Sequence, residues 1–415
     1  MSRKTLEIIE KAEKLSEPLF KIIDNDISLY NQKKVLNAFR EHRVATRHFA
    51  GTSGYGYDDV GRDTLCNLFA TIFGAESAIV SPNIVSGTHA LTVALFGLLR
   101  PNDVLLCITG APYDTLREVI GGENIGSLKD YCVKYDEIAL KNYEIDYESI
   151  GNYLENNAPK VIMITRSRGY EWRDALSIDD IQKTIDFVRK YNKKAVIMVD
   201  NCYGEFIDKL EPTQVGADIC VGSLIKNAGG GIAPTGGYIV GKKQWVDQVG
   251  YRLTAPSIGM EVGSYNASYM PFYEGLFLAP VTVANAVKGT ILATNAFNLM
   301  GYDVKPSPNT LPKDVICSIR FNTAEELITF IQGVQYSSPV DSYVTPEPWA
   351  MPGYDHEVIM AAGTFVQGAS IELSADAPIK EPYIAYLQGG LTYQHFKIAL
   401  TECIDRICID NAIDK

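Results

Sequence analysis

Several features are missing from this 415-residue chain, and each absence closes a line of explanation. The eight cysteines (Cys66, Cys107, Cys132, Cys202, Cys220, Cys317, Cys403 and Cys408) are dispersed, with no CxxC pair and no Cys/His cluster. Reduced, mostly buried thiols are therefore expected rather than disulfides or zinc. The five histidines (His42, His48, His89, His356 and His395) show no HExxH spacing, and no metal site is expected. No apolar run approaches the ~18 residues that a membrane crossing needs. The start, "MSRKTLEIIEKAEKL", is charged and has no apolar signal core, so a cytoplasmic location without a membrane partner is the expectation. Positive charge is also short: 38 basic residues stand against 50 acidic ones, a net charge of −12. That balance argues against nucleic acid or an anionic membrane as partner, while leaving room for a local basic pocket. Internal repeats and low-complexity tracts are absent too. The glycine-rich stretches "GTSGYG" and "KNAGGG" fit neither GxGxxG after a strand nor GxxxxGK[ST], so nucleotide-binding readings are weak.

What is present is ordinary globular composition, 46% hydrophobic and 21% charged. The length exceeds one typical core, so a large and a small domain are expected. Residues 4–48 read as helices, with Leu6, Ile9, Ala12 and Leu15 at helical spacing. From about residue 62 helices alternate with short apolar strands. "DTLCNLFATIFG" reads as a helix closed by Gly74, and "SAIVSP" as a strand. "GTHALTVALFGLL" is a helix ended by Pro101, and "DVLLCIT" a buried strand. "KVIMITR", "DDIQKTIDFVRKYN", "AVIMVD", "ADICVGSL" and "GGYIVG" continue the alternation. Continuous apolar strands between helices predict a three-layer α/β domain with a mostly parallel sheet. After about 285 a long helix, "VANAVKGTILATNAFNLMG", leads to strands near 315–321 and 357–373 and a final helix from about 391. The expected division is an N-terminal helical arm (1–50), a large α/β domain (51–285) and a smaller α+β domain (286–415).

In parallel α/β sheets ligands bind at the carboxyl ends of the strands, and four such ends carry unusual residues. In "VSPNIVSGTHAL", Ser86, Gly87 and Thr88 open a helix, where they either cap it or take a phosphate. Tyr113, in "TGAPYDTLREVIG", stands where it can stack on a flat ring or serve as an ordinary loop residue. Asp200 ends the apolar strand of "AVIMVDNCYGEF", where its carboxylate needs a partner or caps the next loop. In "SLIKNAGGG", Ser223 and Lys226 end the following strand. A lysine is rarely buried unless paired or chemically used. An anion-binding helix end, an aromatic, an acid and a lysine with a nearby hydroxyl are the four needs of pyridoxal 5'-phosphate (PLP).

At these residues the sequence resembles the fold-type-I PLP enzymes of the cystathionine/methionine lyase group. The likeness is greatest to the bacterial methionine γ-lyase-like branch linked to aluminium resistance. It runs from "YGYDDVGRDTL" through "SGTHAL", "YDTLREVIG", "RSRGYEWR", "VDNCYGEF" and "GSLIKNAGGGIAPTGGYIVG" to "GASIELSADAPIKEPY" and "LQGGLTY". The resemblance implies a carbon–sulfur lyase for a sulfur amino acid, with Lys226 as the Schiff-base lysine and Asp200 at the pyridine nitrogen. Ser86, Gly87, Thr88 and Ser223 would hold the phosphate. Tyr113 would stack on the ring and serve as acid for the leaving group. Tyr57, with Tyr55 close enough to compete, would reach the phosphate of a neighbouring subunit, which implies a homodimer or homotetramer with a shared site. Other outcomes on the same cofactor (aminotransfer, racemisation, aldol cleavage) and a non-catalytic PLP protein linked to metal tolerance are the alternatives. Three departures stand out. Asp59 occupies the place of an arginine in the lyase group, with Arg62 as the expected compensation. Ile225 replaces a hydroxyl before the lysine. No arginine in 357–395 matches the residue that holds the substrate carboxylate, which leaves Lys380, Arg166, Arg168, Arg173 and Arg252 as candidates. Burial is expected to depress the Lys226 pKa.

Overall fold

The apolar strands predicted between residues 77 and 241 pair into one sheet because both of their faces are covered by helices. The computed structural model of the chain describes residues 1–351 and 356–413, the last five by backbone alone. The strands of this sheet are β1 (Ser77–Ser81), β2 (Val104–Cys107), β3 (Lys134–Glu137), β4 (Val161–Thr165), β5 (Val196–Asp200), β6 (Ile219–Ser223) and β7 (Gly237–Gly241). Their order is β1-β7-β6-β5-β4-β2-β3. The β3, β2, β4, β5 and β6 run is parallel, and β7 pairs antiparallel with both β6 and β1. One apolar layer lies on each face. The first holds Leu91, Leu95, Met163, Met198 and Val221. The second holds Leu106, Ile162, Ile181, Ile185 and Val199. The three-layer α/β arrangement expected from the alternation is the one observed.

The helices are α1 (Arg3–Ile22), α2 (Leu29–Glu41), α3 (Val60–Phe73), α4 (Gly87–Leu98), α5 (Asp114–Gly121) and α6 (Tyr147–Asn156). They continue with α7 (Ile178–Tyr191), α8 (Lys243–Leu253), α9 (Met270–Leu299), α10 (Ala324–Tyr336) and α11 (Tyr393–Ile413). Local chemistry sets their ends. Gly74 stops α3 at φ 63°, a left-handed conformation that glycine adopts without a side-chain clash. Ser177 and Asp180 form a reciprocal capping box that starts α7.

The described chain forms two compact units. One comprises residues 33–169 and 176–277; the other comprises 1–32, 170–175 and 278–415. The N-terminal segment is thus shared between the units, and residues 170–175 join the second. That second unit contains an antiparallel sheet in the order β10-β11-β12-β9-β8. Its strands are β8 (Asp303–Lys305), β9 (Ile316–Arg320), β10 (Val358–Ala361), β11 (Ser374–Pro378) and β12 (Ile384–Gln388). Residues 362–373, read from sequence as part of a strand, instead form turns. Phe297, Phe330, Phe396 and Leu400 fill the core against this sheet, together with Ile9 and Ala12 of α1.

Two details depart from the sequence reading. The buried stripe of α1 is Thr5, Ile9, Ala12 and Ser16, while Leu6 and Leu15 are exposed. Two hydroxyl residues take core places because Thr5 Oγ1 donates to Asp405 and Ser16 Oγ to the Ala12 carbonyl. The second departure is α9, which is long and apolar enough to cross a membrane although no such run was expected. Most of its most apolar window, 72%, is buried inside the protein, as in the core helix of a globular fold. Six of the eight cysteines are buried, and all eight are free. Replacing Ile9 with alanine should lower the unfolding free energy by about 2–5 kcal/mol. Leu6→Ala should change it by no more than about 0.5 kcal/mol. Urea unfolding midpoints check the pair, and equal effects would contradict the observed stripe.

Candidate active site

Adjacent parallel strands bring Asp200 and Ser223 side by side. Asp200 ends β5 opposite Val221 of β6, and Ser223 lies two residues further along β6. Both side chains are buried. The Cys202 amide donates to Asp200 Oδ1 at 3.1 Å, which ties the carboxylate to the turn leaving the strand. Burial pushes the Asp200 pKa up, and the charge of Lys226 opposes that shift.

Lys226 begins the short turn after β6, with Nζ 4.0 Å from the centre of the Tyr203 ring. That is within the range of a cation–π contact. Burial favours the neutral amine, but Cys202, Tyr203, Asp200 and Tyr113 all act in the other direction, and the net shift is upward. The depression expected from burial alone is therefore outweighed. Cys202 and Tyr113 are themselves pushed up, first by burial, and hold their protons near neutral pH. Asp200 is the one carboxylate among the groups that act on Lys226 in this direction.

Helix α4 points its first turn at this place. Ser86 caps it by accepting from the His89 amide at 3.0 Å, and its carbonyl accepts from the Ala90 amide. Helix geometry then leaves the Gly87 and Thr88 amides without an intrahelical partner. A Cβ at Gly87 would stand 3.3 Å from Ser223 Cβ and 3.6 Å from Cys202 Sγ, so the glycine keeps the cradle open. Ser223 Oγ is buried with no hydrogen-bond partner, an uncommon state for a buried hydroxyl. Two free amides at a helix start and one orphaned hydroxyl are the donor set that a phosphate requires. The residues present therefore fit PLP. Tyr113 lies at the start of α5, and its hydroxyl is 2.9 Å from Thr88 Oγ1. The structure thus brings Ser86, Gly87, Thr88, Tyr113, Asp200, Ser223 and Lys226 to one place.

Tyr57 is not among them. It is 63% exposed, and its ring packs on that of Tyr55 at 5.6 Å between centroids. The compensation assigned to Arg62 is not observed. Its guanidinium is buried and donates to the Gly56 carbonyl at 2.9 Å and to Asp63 at 2.9 Å. Asp59 is equally committed, capping α3 through the Arg62 amide and accepting from Thr52 and Tyr269. Both residues hold the loop that carries Tyr55 and Tyr57.

Of the carboxylate candidates, Arg166 is spent on Asn201 Oδ1 and the Gly204 carbonyl, both at 2.8 Å. Arg173 pairs with Glu171 at 2.6 Å, and Arg252 lies over the Phe96 ring. Arg168 is buried just past β4, and Lys380 is exposed. Ile225 is half-buried and contributes no polar group. Sequence reasoning missed Cys202 and Tyr203. Position two after Asp200 was a usable signal for the first, whereas the positive φ that turns Tyr203 under Lys226 leaves no mark in the sequence.

Removing the Asp59 carboxylate in Asp59→Ala deletes a helix cap and leaves the Thr52 and Tyr269 hydroxyls without their acceptor. It should cost about 1–3 kcal/mol of stability, read by denaturant unfolding. Cofactor uptake by the folded fraction should persist. A variant of full stability that binds no cofactor would instead give Asp59 a direct role.

The methionine gamma-lyase family matches residues 5–408 of the chain. YnbB of Bacillus subtilis (strain 168) is 49% identical over 386 residues, covering 92% of this chain and 91% of its own. A solved structure from Clostridium acetobutylicum, provisionally assigned as a cystathionine beta-lyase involved in aluminium resistance, is 50% identical with a TM-score of 0.94. It covers 98% of this chain and 96% of that one. The pyridoxal-5'-phosphate-dependent protein YhfS of Escherichia coli shares the fold alone, at 15% identity and a TM-score of 0.61, covering 91% of this chain and 96% of that one.

Proposed function

Because the chain belongs to the methionine gamma-lyase family, we propose that it is a carbon–sulfur lyase acting on a sulfur amino acid such as cystathionine or methionine. Its cofactor is pyridoxal 5'-phosphate. The observation that carries the reading is the buried, unpartnered Ser223 hydroxyl facing the open start of α4, with Asp200 and Lys226 alongside. When bound, the cofactor supplies an electron sink for the bonds to the substrate α-carbon.

The chain's own residues do the remaining work. Lys226 Nζ would hold the cofactor and would be the base for the substrate α-proton. Asp200, at the end of β5, would hold a proton on the ring nitrogen. The Gly87 and Thr88 amides with the Ser86 and Ser223 hydroxyls bind the phosphate. Tyr113 stacks on the ring, and because burial, then Asp200, raises its pKa, it keeps a proton to give to the departing thiolate. Tyr57 would reach the phosphate in a second copy of the chain, which would make the working unit a homodimer or homotetramer. Its solvent exposure supports this placement.

Ile225 favours a second reading, because a pocket with one phosphate contact fewer suits a protein that binds the cofactor without turnover. A panel of amino acids, read for keto acid and released thiol together, separates the two. Pyruvate or 2-oxobutyrate with thiol supports the lyase, and a D-amino acid without keto acid would exclude it. A visible cofactor band without any turnover would favour the second reading. Lys226→Ala should lose the borohydride-reducible yellow band entirely, and a variant that kept it would refute the role given to Lys226.

A further inference from the structure

Behind Asp200 and Lys226 lies a closed set of buried polar groups that the proposed reaction does not use. Asn201 follows Asp200 directly, and its Nδ2 donates to Glu211 Oε2 at 3.1 Å and toward the Tyr238 hydroxyl at 3.5 Å. Asn227 follows Lys226 directly, and its Nδ2 donates to the Glu205 carbonyl at 3.1 Å. At the centre, Tyr238 donates its hydroxyl to Glu205 Oε1 at 2.6 Å. Two glycines clear the space. A Cβ at Gly222 would stand 2.5 Å from the Tyr238 hydroxyl and 2.6 Å from Glu205 Oε1, and one at Gly204 would collide with the Arg166 guanidinium.

Glu205 is fully buried, and no ion pair is formed by it among the described residues. Its second oxygen, Oε2, has no donor, and neither has the buried Oδ1 of Asn227. A carboxylate in this state would leave a charge and two acceptors unsatisfied. A carboxylic acid removes the charge and turns one acceptor into a donor. We propose that Glu205 is a positioning residue whose side chain works as a neutral acid, and that through Tyr238–Asn201 it fixes the turn holding Asp200 for the cofactor, while its backbone carbonyl anchors Asn227 beside Lys226. This rests on the PLP reading above.

The groups facing Glu205 are Tyr238 on β7, Cys220 on β6, Glu211 and Cys202 on the loop after β5, and Lys226 on the turn after β6. Burial raises the Glu205 pKa to about 8, with Glu211 adding to the rise and Tyr238 and Lys226 opposing it. Its ordinary value is 4.5. A carboxyl raised in the folded state contributes stability that is complete below the ordinary value and is lost as pH rises through the folded one.

The test compares the full-length wild type, Glu205→Gln and Tyr238→Phe over roughly pH 5 to 9, reading thermal midpoints and PLP affinity from the bound-cofactor absorbance. Glu205→Gln should gain stability over the wild type as pH rises toward 8, with the difference levelling off above that. Its PLP affinity should hold where the wild type weakens by about tenfold per pH unit above 8. Tyr238→Phe, which removes the hydroxyl that opposes the rise, should melt as a folded protein with the alkaline loss moved to higher pH than in the wild type. A melting difference between Gln and wild type that is flat with pH overturns the neutral-acid assignment. A Gln variant that is stable but fails to bind PLP at neutral pH overturns the positioning role. A wild type that takes up no PLP at any pH refutes the cofactor reading and the positioning role with it, while the melting comparison still decides the protonation of Glu205.

Discussion

Two opposite charges, Asp200 and Lys226, stand at the carboxyl ends of two fully buried neighbouring strands, and most of the surrounding structure follows from that. Neither charge is tolerable alone in such a place, because an unpaired buried ion costs several kcal/mol. Burial raises the acid and Lys226 opposes that rise, while Asp200, after Cys202 and Tyr203, acts in turn to raise the lysine against its own burial. The sheet order β4-β5-β6 makes their approach possible, since parallel neighbours send their carboxyl ends to the same edge. The ring of Tyr203 under Nζ adds a face of negative potential to the same balance. Reaching it requires Tyr203 and Phe206 at φ 71° and 61°, each a strained conformation for a residue with a side chain. Hydrogen bonds donated by Arg166 and Asn201, and those accepted by Glu211 from Asn201 and the Phe206 amide, hold that loop in place.

Unmet donors surround the same place. Ser223 Oγ and the first amides of α4 have no protein acceptor, and Gly87 holds the space open rather than filling it. In a core packed this closely, a donor left unpaired at the cost of about 1–3 kcal/mol is a provision for a ligand. The orphaned Glu205 oxygen has a different answer, because a proton can satisfy it. Both kinds of orphan lie at adjacent strand ends, and one ligand site thus adjoins one buried acid.

Some of this was legible in advance and some was not. The alternation of apolar strands with helices gave the three-layer domain, because buried parallel strands have no polar face to confuse the pattern. The four strand-end motifs gave seven of the expected site residues, since each sits just past a strand or where a helix begins. Arg62 misled for a physical reason. A charge beside a glycine-rich loop reads as free for a ligand, yet the Gly56 carbonyl takes that guanidinium. Leu6 and Leu15 misled because a helical stripe admits hydroxyl residues when a partner such as Asp405, hundreds of positions away, accepts from them.

Sequence alone determined the fold class, the cofactor chemistry and the residues that end each strand, because these depend on local spacing and residue type. Only the tertiary structure decided which cations are already engaged, which hydroxyl is left without a partner, and that Lys226 gains rather than loses hold of its proton. Those outcomes depend on distances between strands, on the burial of Asp200 and on the groups gathered around the half-buried Lys226. No window of sequence contains any of these.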